Sequence, residues 1–485
     1  MRLKRSRQRF KVSLSTQHLV NSRQGEKSLL AALSVIGALM NKDLDSVHPF
    51  QETRMLSKED NDRFNNVEPG SPLNEMAKRY WLPYLRSEML EANGAPRKVE
   101  LLGEMYVSFR GQDGSVGFFD EQCPHRGASL SLARSGDNAL TCIFHGWKFD
   151  TSGKCVNTPT EANPRFCANV KLRAFPVKEA GGALWVYLGK DEPPAFPDYE
   201  YFKAPPEYRR ARVGYANSNW TQNFETLLDS AHIGVLHASS SSAVLPNVSN
   251  VQANHAPKFN IVDTQYGFQV YARRERGDGQ VYLRVTEYVA PFTVLNGTTR
   301  TEEARLLYMV PINNRRTAFW RFMWNLDHPQ EWWRQQAIET GTEEVRFLNP
   351  DDFLSDVMDR TKENFGQDRE AMARGHWSGF LHLRAEDAAV SDSVPIVDRT
   401  KENLGASDLP IARMRQRFFR ELDNFAKTGI APGLGVKGDG QGVNYSELRG
   451  TAEVIPADMD QIDFHNRVLR EKRISKREAF LAEYA

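Results

Sequence analysis

Cysteine is scarce, four in 485 residues. That is too few to staple a chain of this length, so disulfide-rich secreted scaffolds are excluded and metal or redox chemistry in a reducing compartment becomes the question. Long hydrophobic runs are missing too. The longest uncharged apolar stretch, Ser28–Met40, has thirteen residues, short of the ~20 a helix needs to cross a bilayer. Neither sign of charge dominates. With 63 basic and 62 acidic residues the net charge is +1, which leaves no global field to draw the chain to nucleic acid or an anionic membrane. No G-x-G-x-x-G or phosphate-binding loop is read in the chain, so nicotinamide and flavin chemistry are expected on another protein. The composition, 40% hydrophobic and 26% charged, is that of an ordinary globular chain with room for two or three domains.

Residues 1–54 are basic from Arg2 to Lys11, with no acidic residue before Glu26. They are expected to carry no chemistry, as a disordered extension or as sequence ahead of a start at Met55. A signal or transit peptide is the alternative. Residues 55–190 are expected to hold an N-terminal helix and an all-β block. The helix is predicted over Leu73–Leu85, ending near Pro83, and the strands at Val99–Leu102, Met105–Phe109, Val116–Phe119 and Leu184–Leu188. Turn signals stand at Gln112–Gly114, Thr151–Lys154 and Ala180–Gly182. Five prolines mark 191–210 as a linker. Residues 211–485 are predicted to begin with a helix over Trp220–Leu236 and a serine-rich loop at Ser239–Ser242. Strands follow at Gly267–Ala272, Val281–Tyr288 and Ala304–Val310, and helices from Glu331 to the end. The fold class is therefore α+β: a β block, then an antiparallel sheet covered by helices. Asp359–Gly366 nearly repeats Asp398–Gly405, and two solvated helical segments are the expectation for this pair.

Cys123-Pro124-His125 and Cys142-Ile143-Phe144-His145 give C-x-H, sixteen intervening residues, then C-x-x-H. Two thiolates and two imidazoles bind zinc, or a [2Fe-2S] cluster with cysteines on one iron and histidines on the other. Zinc fingers usually space cysteine from cysteine and histidine from histidine; here each loop supplies one of each. Gly127 and Gly146 would let backbone amides approach the sulfurs, and Pro124 stiffens its loop. The spacing resembles the Rieske iron–sulfur motif. Respiratory Rieske proteins carry an extra cysteine in each loop, where this chain has Ala128 and Phe144. That points toward the ferredoxin or oxygenase type. Cys155 and Cys167 are read as ordinary packed residues.

A second constellation lies in the predicted helix after Asn219. Asp229 and His232 are i and i+3 on one face, and Gly234 would permit the distortion that turns His237 back toward them. Two neutral histidines and a carboxylate make the facial triad of non-haem Fe(II) oxygenases. D-x-x-H-x(4)-H resembles the catalytic segment of Rieske non-haem iron aromatic-ring-hydroxylating oxygenases, large subunit. Pro395–Gly405 is similar to the phthalate and phenoxybenzoate dioxygenase branch, and the resemblance covers roughly residues 55–410. It implies a catalytic domain of helix-grip type and Asp387 as the third iron ligand, with Glu386 and Asp392 as rivals. It also implies that Asp229 bridges a cluster histidine of a neighbouring subunit to an iron histidine in a head-to-tail homotrimer. Electrons would come from NAD(P)H through a separate flavin/iron–sulfur reductase, and the protein would be cytoplasmic. Oxygen from dioxygen would enter an aromatic substrate, an aromatic carboxylate, by ring dihydroxylation or by monooxygenation including O-demethylation. A carboxylate would need a basic residue in the pocket, which the sequence does not single out. Two other classes remain at this point: an electron carrier lacking the second iron, and a zinc-stabilised binding module.

Overall fold

The computed structural model describes residues 55–484 apart from 164, 241–247, 253, 298–303, 340–348 and 434–442. The expected extension 1–54 and part of the serine-rich loop lie outside the described residues. Ser71 accepts the Asn74 N–H and starts a helix, Pro72–Ala77, with proline in its first turn. The predicted continuation to Pro83 does not form. Trp81–Arg86 is instead a strand paired with Ala183–Tyr187, because its aromatic and leucine side chains are buried as a sheet edge. Pro83, lacking a donor, is tolerated on that edge, where the register shifts.

The β block adds two sheets. One is the meander Arg97–Leu101, Glu104–Arg110 and Val116–Asp120; the other runs Arg134–Gly136, Ala139–Thr141, Lys148–Asp150 and Cys155–Asn157. The expected turns at Gln112–Gly114, Thr151–Lys154 and Ala180–Gly182 each join neighbouring strands. A small core of Val107, Phe119, Leu130, Leu140, Trp147 and Phe149 lies between these sheets and includes Cys123 and Cys142.

The second half is an eight-stranded antiparallel sheet. Its order is Arg209–Ala216, Arg316–Trp324, Ala304–Asn313, Thr293–Asn296, Gln280–Val289, Gly267–Glu275 and Lys258–Asp263, with Thr451–Pro456 also paired to Gln280–Val289. That last strand lies in a tail expected to be helical; pairing with Gln280–Val289 buries Thr451, Ala452 and Ile455, Ala452 and Ile455 on opposite faces of the sheet. Helices Trp220–Leu228, Leu383–Ser393 and Leu409–Thr428 cover the sheet. The helix Lys58–Asn65 also packs there: Phe64 lies 5.6 Å from the Trp220 ring and 5.0 Å from that of Phe418. No helix among the described residues is long and apolar enough to cross a membrane.

The near-repeat is not a pair of solvated helices. Asp359 and Asp398 each accept the backbone N–H (3.0 and 3.1 Å) and hydroxyl (2.6 Å in both) of the threonine two residues on. Each therefore closes a turn that aims the intervening arginine inward. Arg360 donates to Asp392 at 2.8 Å. Arg399, fully buried, donates to Glu225, Asn65 and Thr221. The lysines, Lys362 and Lys401, and the turn-closing Asp359 and Asp398 stand in water as expected.

Candidate functional site

The two cysteine–histidine loops are near copies of each other. Cys123–Ala128 is closed by the bridge Gln122 to Ser129 and Cys142–Trp147 by the pair Thr141 to Lys148. In both, the cysteine N–H donates to the sixth residue's carbonyl at 2.8 Å, and the glycine N–H returns to the cysteine carbonyl at 2.9 Å. Gly127 and Gly146 both have φ of 73°, the left-handed backbone that only glycine adopts without strain. The thiols are buried, while His125 and His145 are half-exposed with ring centroids 4.4 Å apart. Burial pushes the Cys123 thiol up to about 11, and Cys142 beside it adds to the shift. Such thiols become thiolates when a cation joins them. His145 Nδ1 is buried without a hydrogen-bond partner. The four donors fit an iron–sulfur cluster.

The helix carrying the second constellation is shorter than predicted. It ends at Leu228, and Asp229 takes extended backbone. The Asp229 carboxylate accepts the N–H of Ala231 at 2.7 Å and faces that of His232 at 3.4 Å, a local turn that competes with the helix. Arg274 holds the turn by donating to the Ser230 carbonyl at 2.6 Å. Asp229 and His232 nevertheless meet, Oδ2 to Nδ1 at 3.2 Å. Gly234 serves close packing rather than a left-handed bend, since a Cβ there would fall 2.9 Å from the Val251 carbonyl.

Helix Leu383–Ser393 brings the acids. Asp387 Oδ1 lies 3.1 Å from His237 Nε2 and 3.7 Å from His232 Nε2. Ligand atoms of His232, His237 and Asp387 all lie within 4.8 Å of one another. Asp387 Oδ1 is buried and makes no well-directed hydrogen bond among the described residues, so the site fits a cation. Of the rivals, Glu386 faces the other nitrogen, Nδ1 of His237, at 2.6 Å. Asp392 accepts from Asn217 N, Ser218 Oγ and Arg360. Burial alone would lower the His237 imidazole, but Asp387 and Glu386 hold it at about 10. Burial likewise works against the Asp229 and Asp387 carboxylates, yet the neighbouring histidines keep both below the usual range.

Residues 186–477 match the family described as LigXa C-terminal domain like, and residues 80–176 match the Rieske [2Fe-2S] domain. The chain is 32% identical over 439 residues to the phthalate 4,5-dioxygenase oxygenase subunit of Pseudomonas putida, covering 85% of this chain and 95% of that one. The chain belongs to the Rieske oxygenase alpha subunits. It is 30% identical over 381 residues to the 5,5'-dehydrodivanillate O-demethylase oxygenase subunit of Sphingobium sp., covering 77% and 82%. Its fold resembles that of dicamba monooxygenase bound to dicamba, at a TM-score of 0.53, 17% identity, and 72% and 98% coverage. As a Rieske oxygenase subunit it is an enzyme component whose cofactors are a [2Fe-2S] cluster and a mononuclear iron. It works with dioxygen, an organic substrate and a reductase. The bare pattern G-x-G-x-x-G does occur once, at Gly433–Gly438, correcting the reading that found no such loop. It follows a helix, Leu409–Thr428, rather than a strand, so the expected dinucleotide context is missing, and residues 434–438 lie outside the described ones.

The cavity beside this candidate site, open to solvent, is lined by the histidines and Asp387 and by Arg284, Arg305 and Arg321. Arg284 projects from the strand Gln280–Val289. Its Nε donates to the Gly297 carbonyl at 3.2 Å, and the side chain has no other hydrogen bond and no ion pair among the described residues. Burial pushes the guanidinium down from its usual value, yet arginine stays charged in proteins. Arg284 is thus a sheltered cation without a direct ion pair among the described residues, and the Asp229 and Asp387 carboxylates of the same cavity act on it only from a distance. Sequence reasoning did not name Arg284. The only signal was alternation within a buried strand, shared by many basic residues.

Proposed function

We propose that this oxygenase component acts on an aromatic carboxylate, whose carboxylate group pairs with Arg284 while the ring faces His232, His237 and Asp387. The observation that supports this is that Arg284 has no ion-pair partner in the cavity among the described residues. Relatives named for phthalate and dehydrodivanillate favour the same substrate class. The outcome is ring dihydroxylation or monooxygenation, including O-demethylation.

In this reading Cys123, His125, Cys142 and His145 hold the cluster, and His232, His237 and Asp387 hold the mononuclear iron. When bound, those centres supply electrons and dioxygen activation at the ring. The chain's own groups set the stage. Glu386 accepts the Nδ1–H of His237, and the Asp229 carboxylate stands 3.2 Å from Nδ1 of His232, so both acids lie on the side of the imidazole away from Nε2. Arg284 fixes the substrate end-on. Neither His125 nor His145 contacts Asp229 among the described residues. The bridging role of Asp229 therefore falls to a neighbouring copy in a homotrimer. Residues 55–190 form the electron-storing part, 191–210 the linker and 211–485 the catalytic part, in a cytoplasmic protein.

The test is oxygen uptake by purified protein with a reductase and NADH, comparing aromatic carboxylates with their methyl esters. Acids should be turned over and esters should not. Equal turnover of both would overturn the reading. Iron analysis should give about three atoms per chain, two in the cluster and one mononuclear; an electron carrier would give two, and a zinc module none.

A further inference from the structure

All four cysteines lie in or against one small core, the one beneath the two loops. Cys123 and Cys142 belong to those loops. Cys155 and Cys167, twelve residues apart, bring their sulfurs to 2.6 Å. The backbone sets this meeting independently. Leu172 N donates to the Gly153 carbonyl at 2.9 Å and Lys154 bridges Lys171, so the strand Cys155–Asn157 and the turn Cys167–Asn169 are docked side by side. Gly153 is required there, because a Cβ would fall 2.4 Å from the Leu172 carbonyl.

The segment between the two sulfurs leans on the second cysteine–histidine loop. Pro159 fills the space beside Gly146, where a Cβ would come within 2.8 Å of its ring. Phe166 meets Trp147 edge-on at 5.5 Å, and Trp147 stacks on His125 at 4.3 Å and 12°. Whatever ties Cys155 to Cys167 thus backs a histidine of the cluster site.

We propose that Cys155 and Cys167 are a redox modification site: a peroxide joins them in a reversible disulfide that clamps residues 156–166 against the cluster loops. Cys167 is part-exposed and Cys155 buried, so the peroxide enters at Cys167. Its sulfur attacks the O–O bond, giving a sulfenic acid and one water. The Cys155 thiol then displaces the second water as the S–S bond forms. Two thiol hydrogens and two electrons leave the sulfurs, and one peroxide becomes two waters. A dithiol reductant reverses the step. An enzyme that activates dioxygen works where partly reduced oxygen species arise.

The holoenzyme tests this directly. After exposure to hydrogen peroxide and blocking with iodoacetamide, trypsin should release Cys155–Arg165 and Phe166–Lys171 as a linked pair, two hydrogens lighter than their sum. Dithiothreitol should abolish the pair, and so should Cys167→Ser or, independently, Cys155→Ser. Amide exchange across 156–166 should be slower in the oxidised protein than in the reduced one. Alkylation of both cysteines after peroxide, overoxidation of Cys167 without linkage, or exchange unchanged by linkage would each overturn the proposal.

Discussion

His237 Nδ1 sits 2.6 Å from Oε2 of Glu386, a carboxylate with no exposed surface that also accepts the Ser378 hydroxyl at 2.5 Å. The next residue, Asp387, meets the opposite nitrogen of the same ring. Two consecutive acids thus divide one imidazole: one fixes its tautomer, the other shares the atom it would coordinate. Glu386→Ala should weaken iron retention about 10–100-fold, the usual loss for removing a ligand's hydrogen-bond partner. Chelator competition reads this, and the cluster spectrum should not change.

Asp387→Ala and His232→Ala should lower the iron count from about three to about two per chain while leaving the cluster's visible absorption intact. Asp392→Asn should keep the third iron. It should instead lower the melting temperature, because Arg360 loses a buried partner, a change that costs about 3–5 kcal/mol. Iron analysis and thermal melting of the three variants separate ligand from scaffold.

Arg284→Met should reduce kcat/KM for an aromatic carboxylate by roughly 10–100-fold, as expected for a charge-assisted hydrogen bond of about 1.5–3 kcal/mol. The loss should fall mainly on KM. Oxygen uptake with an acid and its methyl ester should converge in the variant.

Acid sensitivity should trace in part to Glu225. Burial raises its carboxyl, but Arg399 and Arg415, at 2.7 Å each, outweigh that and hold it below its usual 4.5. A carboxyl lowered by folding contributes stability that is complete above its unfolded pKa and is lost as pH falls through the folded value. Melting temperature should therefore drop below about pH 4.5, near the unfolded glutamate value. Glu225→Gln should flatten that slope while being less stable at neutral pH.

Spacing alone pointed to the two cysteine–histidine loops as candidates, since C-x-H and C-x-x-H are local and each loop is closed by its own hydrogen bonds. His232 and His237 stood out as candidates by their short spacing, and the structure brings them together with Asp387. Asp387 rested on likeness: three acids crowd residues 386–392, and only the direction of each along helix Leu383–Ser393 sorts them. The helix after Asn219 was overextended because apolar periodicity continues past Leu228, while the break comes from a side chain, Asp229, bonding its own backbone. Arg399 looked solvated in a run of charges; its partners Asn65 and Glu225 lie 334 and 174 residues away. Arg284 was hidden likewise, because emptiness around a cation is a property of space rather than of order along the chain.

The first helix among the described residues, Lys58–Asn65, lies on the catalytic half, with Phe64 wedged between Trp220 and Phe418, before the strand Trp81–Arg86 begins the β block. From Lys58 onward the polypeptide thus touches the far half before the β block and returns to it after 210, like a belt threaded through its own buckle. Severing it at the proline stretch would yield no self-sufficient piece: the carboxyl-terminal fragment would bare the Trp220 hollow, and the amino-terminal one would carry an orphaned Phe64.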